Sequence, residues 1–152
     1  MVTFISRSPE DTRAFGESLG KSAQVGTVIG VTGDLGAGKT ELVKGLARAL
    51  GIKVPVHSPT FALVHEYAGG RFPLFHIDLY RLESPSQILG AGLEEYFYNP
   101  PGVTVIEWVE RWGQPSSPVS DNTGLIAPAY RQVTIEIEGE TERRITYDDS
   151  SA

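Results

Sequence analysis

Eight consecutive residues, Gly33-Asp34-Leu35-Gly36-Ala37-Gly38-Lys39-Thr40, fit the pattern G-x-x-x-x-G-K-[ST] without a mismatch. The chemistry such a run performs is phosphate binding. Gly33, Gly36 and Gly38 let the backbone turn so that several N–H groups, those of Asp34, Leu35 and Ala37 among them, converge on phosphate oxygens. A helix starting directly after the loop presents its positive end to the same anion. Lys39 adds a cation for the β- and γ-phosphates, and the Thr40 hydroxyl is placed to ligate Mg²⁺. A strand-like run before the loop and a helical run after it separate it from an ordinary glycine turn.

A Mg²⁺-dependent nucleotide hydrolase also needs a carboxylate at the end of a neighbouring strand. Asp78 follows the strand-like run 72–77, with His76 on the same face, and Glu107 follows the buried-type run 103–106. Both acids are candidates, and their division of labour stays open. Thr60, in Ser58-Pro59-Thr60, lies where switch segments of such proteins sit, with a plain Ser-Pro turn as the alternative. Trp108 and Trp112 are candidates to stack on a base or to fill the core. His57, His65 and His76 lack metal-ligand spacing, and His65 and His76 read as structural or solvent-facing. Asp121-Asn122-Thr123-Gly124 matches D-x-x-G but follows no strand, and no N-K-x-D occurs, which favours ATP over GTP.

The elements that must hold these residues are legible in outline. Residues 2–5 alternate as a short strand, and Ser8-Pro9-Glu10-Asp11 opens a helix reaching about Ala23, with Ala14, Phe15, Ser18 and Leu19 as its apolar stripe. Residues 27–32 form a β-branched run suited to a strand buried on both faces. A helix over 41–50, stopped by Gly51, follows the loop. Two strand-like runs, 61–67 and 72–77, flank a turn at 68–71. Short helices are predicted from Ser84-Pro85 to Gly90, over 93–97 and over 108–112, and a last hairpin over 133–147 turns at Gly139. Residues 114–131 read as a long loop and 148–152 as a frayed tail. The order specifies one three-layer α/β domain over 1–152, with a mixed sheet that is parallel near the loop and antiparallel at its periphery.

The chain of 152 residues suits a single domain, and its 40% hydrophobic and 21% charged content is that of a globular protein. With no cysteine, neither disulfides nor thiolate metal sites arise. A net charge of −6 argues against autonomous nucleic-acid binding. No basic flank with an apolar core opens the chain and no stretch approaches a membrane span, so a cytoplasmic protein without membrane contact, monomeric when free, is expected.

Four ordered motifs carry a resemblance to a known family: the phosphate loop, Ser58-Pro59-Thr60-Phe61, His76-Ile77-Asp78-Leu79-Tyr80-Arg81-Leu82 and Ile106-Glu107-Trp108. Over about residues 12–110 the chain closely resembles TsaE, the ATPase component of the bacterial machinery that makes threonylcarbamoyladenosine at position 37 of tRNA. The resemblance implies a P-loop fold, ATP and Mg²⁺ as ligands, TsaD and TsaB as partners and tRNA contact only through that complex. It implies a slow, nucleotide-driven regulator and not the transferase itself. By the same resemblance Lys39 and Thr40 hold phosphate and Mg²⁺, Glu107 lies on the Mg²⁺ side, Asp78 is the essential aspartate, Thr60 is switch-like and Thr12 lies near the nucleotide. Glu41 departs from the family, standing where many members carry a second threonine, so its carboxylate must point away from phosphate or meet a cation. The loop at 115–131 is also longer than usual. A small-molecule kinase on the same loop is the alternative, but it needs an arginine-bearing lid, and only Arg131 closes the long loop.

Overall fold

The β-branched run after Gly26 becomes the centre of a seven-stranded sheet, with its apolar side chains buried on both faces. The chain is described here from a computed structural model covering residues 2–34, 36–57, 63–118 and 128–148. Leu35, the Ser58-Pro59-Thr60-Phe61 run, the Asp121-Asn122-Thr123-Gly124 tetrapeptide and residues 149–152 lie outside the described residues, whereas Asp148, expected to begin a frayed tail, ends a strand paired with Gln132. In chain order the elements are β1 (Val2–Ser6), α1 (Pro9–Ser22), β2 (Val28–Gly33), α2 (Lys39–Ala49), β3 (Val64–Tyr67), β4 (Leu74–Asp78), α3 (Pro85–Gly90), α4 (Glu94–Phe97), β5 (Val103–Glu107), β6 (Arg131–Ile137) and β7 (Arg143–Asp148).

The strand order is β1-β7-β6-β2-β5-β4-β3. β6, β2, β5 and β4 run parallel, while β3 at one side and β7 and β1 at the other run antiparallel. The mixed sheet is therefore arranged as expected. One face packs under α1 and α2 through Leu19, Leu42, Leu46, Ile29, Val31 and Val105. The opposite face is covered by α3, α4 and the chain after β5, through Ile88, Phe97, Val109, Trp112 and Tyr130 against Val28, Ile77 and Ile106. These are the three layers.

Three expectations change. The buried stripe of α1 runs through Thr12, Gly16, Leu19 and Gly20, while Ala14 and Ser18 face solvent. The reason is backbone proximity: a Cβ on Gly16 would lie 2.0 Å from the Leu42 carbonyl oxygen, and one on Gly45 would lie 1.8 Å from that of Arg13. The helix expected over 108–112 shrinks to a single 3₁₀ turn, Val109–Arg111, because Trp108 is left-handed (φ 60°) and gives its N–H to the Val31 carbonyl at 3.0 Å. The long loop ends at Arg131, already part of β6, and its two ends are tied by Ser116 N–H to the Pro128 carbonyl at 3.2 Å.

Helices α1 and α2 thus touch backbone to backbone, and that contact sets Thr12 beside the phosphate loop. Gly45→Ala should lower the unfolding free energy by about 1–3 kcal/mol in a denaturant titration, despite alanine's better helix propensity. An unchanged or raised midpoint would show that the two helices are not in this contact.

Candidate nucleotide-binding site

The loop begins where β2 ends and closes where α2 begins. Gly36 (φ 80°) and Gly38 (φ 106°) occupy backbone conformations that L side chains rarely adopt. Gly33 does not; it is needed because a Cβ there would lie 2.8 Å from the Ile135 carbonyl oxygen of β6. Gly38 caps α2 without a side chain, so no hydroxyl or carboxylate competes for the first-turn N–H groups. Lys39 is only 5% exposed. Its ammonium donates to the Gly33 carbonyl at 2.5 Å and the Asp34 carbonyl at 3.0 Å, and lies 4.3 Å from the centre of the Trp108 ring. Burial pulls its pKa below the ordinary lysine value, and the nearby Glu107 carboxylate opposes that shift.

Parallel pairing brings the two candidate acids side by side. Asp78 and Glu107 are register partners at the ends of β4 and β5, so their side chains emerge on one face. Both are buried. The Thr40 hydroxyl donates to Glu107 Oε2 at 3.2 Å, whereas Asp78 Oδ1 accepts the Tyr80 backbone N–H at 2.9 Å. Glu107 is thus the acid next to the loop threonine. His76, read from sequence as structural or solvent-facing, is fully buried, and its Nε2 meets Glu107 Oε2. His65, given the same reading, is half-buried, with Nδ1 3.2 Å from the Tyr67 hydroxyl.

On the far side of the loop lies a cavity of about 210 Å³, walled by Pro9, Thr12, Gly36, Gly38, Thr141 and Arg143, among others. Ser6 spends its hydroxyl proton on the Ser8 carbonyl at 2.8 Å, so the 2.8 Å contact between Thr12 and Ser6 is donated by Thr12. Thr12 Oγ1 keeps a lone pair for a donor. Arg143 was not foreseen. Its guanidinium donates to the Ala37 carbonyl at 3.2 Å and the Gly36 carbonyl at 3.3 Å, and to its own hairpin at the Gly139 carbonyl at 2.8 Å. In sequence it is an arginine beside another arginine, Arg144, which pairs with Glu138 at 3.2 Å. Only the fold distinguishes the two.

Glu41 meets cations. Its carboxylate pairs with Arg13 of α1 and, at 3.2 Å, with Lys44 one turn along α2.

A family model described as threonylcarbamoyl adenosine biosynthesis protein TsaE matches residues 6–145, nearly the whole chain. The chain belongs to the TsaE family. Among its relatives is the tRNA threonylcarbamoyladenosine biosynthesis protein TsaE of Bacillus subtilis, 40% identical over 140 residues, covering 92% of this chain and 80% of that one. The protein of the same name from Treponema pallidum is 41% identical, covering 86% of this chain and 97% of its own length. The Nostoc counterpart is 50% identical over 114 residues, 73% of this chain and 70% of that protein. The crystal structure of Bacillus subtilis YdiB superposes with a TM-score of 0.73 at 33% identity, covering 96% of this chain and 83% of that one. A family with this P-loop arrangement is suited to binding nucleotide, and no helix among the described residues is long and apolar enough to cross a membrane.

The Glu41 network has a direct consequence. Arg13→Ala should weaken ATP binding several-fold in a calorimetric titration, because the carboxylate loses the cation drawing it from the loop. Adding Glu41→Thr should restore the affinity. Equal affinities for wild type and Arg13→Ala would make the pair irrelevant to the ligand.

Proposed function

We propose that this TsaE-family chain binds ATP with Mg²⁺ and hydrolyses it slowly, as the nucleotide-driven component that supports threonylcarbamoyladenosine formation at adenosine 37 of tRNA. The observation that carries the reading is the gathering of Lys39, Thr40, Glu107 and Asp78 at one end of the parallel strands β2, β5 and β4. Its partners are a TsaD–TsaB complex, which holds the tRNA and performs the transfer. The work is intracellular, in the cytoplasm.

The residues divide the task. Backbone N–H groups of the loop and of the first turn of α2 receive the phosphates, and Lys39 exchanges its neutral carbonyl partners for charged phosphate oxygens, which are stronger acceptors. Thr40 Oγ1 and the Glu107 carboxylate are hard oxygen donors of the kind Mg²⁺ takes. Among the described residues no group of three or more His, Cys, Asp or Glu could hold the ion alone, so Mg²⁺ would take further oxygen ligands from phosphate and water. Held by Thr40 and Glu107, Mg²⁺ would supply positive charge against that building on the phosphates. Asp78 orients the water that attacks the γ-phosphorus, the bond from that phosphorus to the β-bridging oxygen breaks, and ADP and phosphate leave. The cavity beside the loop takes the nucleoside end, with Thr12 and Arg143 at its wall. Trp108 holds Lys39 from the opposite side and does not need to meet the base. Thr60, by its place in the chain after α2, serves as the switch that reads the γ-phosphate.

Lys39→Ala should weaken ATP binding by on the order of 100-fold, since a charge-assisted contact is lost. Asp78→Ala should keep ATP affinity yet lower phosphate release by about 10²–10⁴-fold with TsaD and TsaB present. Phosphate release at the wild-type rate from Asp78→Ala in that mixture would remove the aspartate from the mechanism.

A further inference from the structure

Glu107 Oε2 is contacted twice, by the Thr40 hydroxyl at 3.2 Å and by His76 Nε2, while Oε1 has no hydrogen-bond partner among the described residues. His76 is fully buried at the centre of β4, beside Val105 of β5 in the parallel register. Its other ring nitrogen, Nδ1, is buried with no partner. That asymmetry decides the tautomer. A proton on Nδ1 would be an orphaned buried donor, at a cost of roughly 1–3 kcal/mol, and would turn the Nε2 lone pair against a carboxylate. The proton therefore sits on Nε2 and is given to Glu107 Oε2.

We propose that His76 is the positioning residue of the metal site: it locks the Glu107 carboxylate in one rotamer and occupies Oε2, so that Oε1 alone is turned to Mg²⁺ or its water. This inference rests on the reading of the site as one for Mg²⁺ and ATP. A free glutamate side chain samples many rotamers, and ordering it on metal arrival costs conformational entropy. A partner buried in the sheet bears that cost during folding. Thr40 is then served as well: its hydroxyl proton goes to Oε2 and its lone pairs stay free for the ion. Replacing partners that orient metal ligands in this way typically costs about 10–100-fold in metal affinity.

The test is calorimetric titration of the full chain with a non-hydrolysable ATP analogue, in EDTA and across a Mg²⁺ series. His76→Gln keeps an N–H donor near the reach of Nε2, whereas His76→Asn, one methylene shorter, places its amide near Nδ1 and cannot touch Oε2. In EDTA, both variants should bind the analogue as wild type does. With Mg²⁺, His76→Asn should need a concentration higher by about 10–100-fold to reach half its affinity gain, and His76→Gln should stay near wild type. Both variants are polar at the same position, so their unfolding midpoints control for damage to the sheet. Equal Mg²⁺ responses for His76→Asn and wild type, or equal impairment of the Gln and Asn variants at matched stability, would overturn the proposal. A wild-type affinity that ignores Mg²⁺ would instead overturn the metal reading on which it stands.

Discussion

A lysine that is 5% exposed has to have its charge compensated from within the protein, and much of the site's construction answers that requirement. The end of β2 turns two carbonyls toward Lys39, β5 ends in a buried carboxylate, and the residue after it lays an indole over the cation. Trp108 reaches that position in a left-handed conformation uncommon for a bulky side chain, held by its N–H to the Val31 carbonyl at 3.0 Å. The same groups that make burial of Lys39 tolerable are the ones that the proposed phosphate and Mg²⁺ would meet. Stability and ligand chemistry are met by one arrangement.

The loop is also gripped from both flanks. On one side α1 lies against α2 with glycines at the crossing, so Thr12 sits beneath Gly38 at ordinary van der Waals distance, 3.8 Å from where a Cβ would be. On the other, Arg143 ties the final hairpin to the carbonyls of Gly36 and Ala37. A glycine-rich backbone has high conformational entropy when free. Contacts from α1 and β7 reduce it, and within the loop the Ala37 N–H is given to the Asp34 carbonyl at 3.0 Å. Glu41, which stands against the electrostatics of the loop when taken alone, is balanced by Arg13 from the same helix crossing.

What could be read from the residues follows the range of the interactions. The loop, the strand before it, the helix after it and the acids Asp78 and Glu107 are local patterns: a motif, a β-branched run, a charge at a strand end. His76 meets Glu107 across 31 positions, and Arg143 meets Ala37 across 106, and neither distance leaves a mark on composition or period. The stripe of α1 misled because small residues, which carry little hydrophobic signal, were buried where backbones meet. The turn after Glu107 misled because Trp108 satisfies its N–H across the sheet, which no helical periodicity reveals. Motif order, by contrast, identified the family before any contact was visible, and the match over residues 6–145 agrees.

The central claim is that Lys39, Thr40 and Glu107 form one phosphate and metal site at the end of β2 and β5. A crystal structure of the chain with Mg²⁺ and a non-hydrolysable ATP analogue tests it most directly. There Lys39 Nζ should leave the Gly33 and Asp34 carbonyls for phosphate oxygens, with Mg²⁺ held by Thr40 Oγ1 and the Glu107 carboxylate. A nucleotide bound elsewhere, with Lys39 still on those two carbonyls, would contradict it.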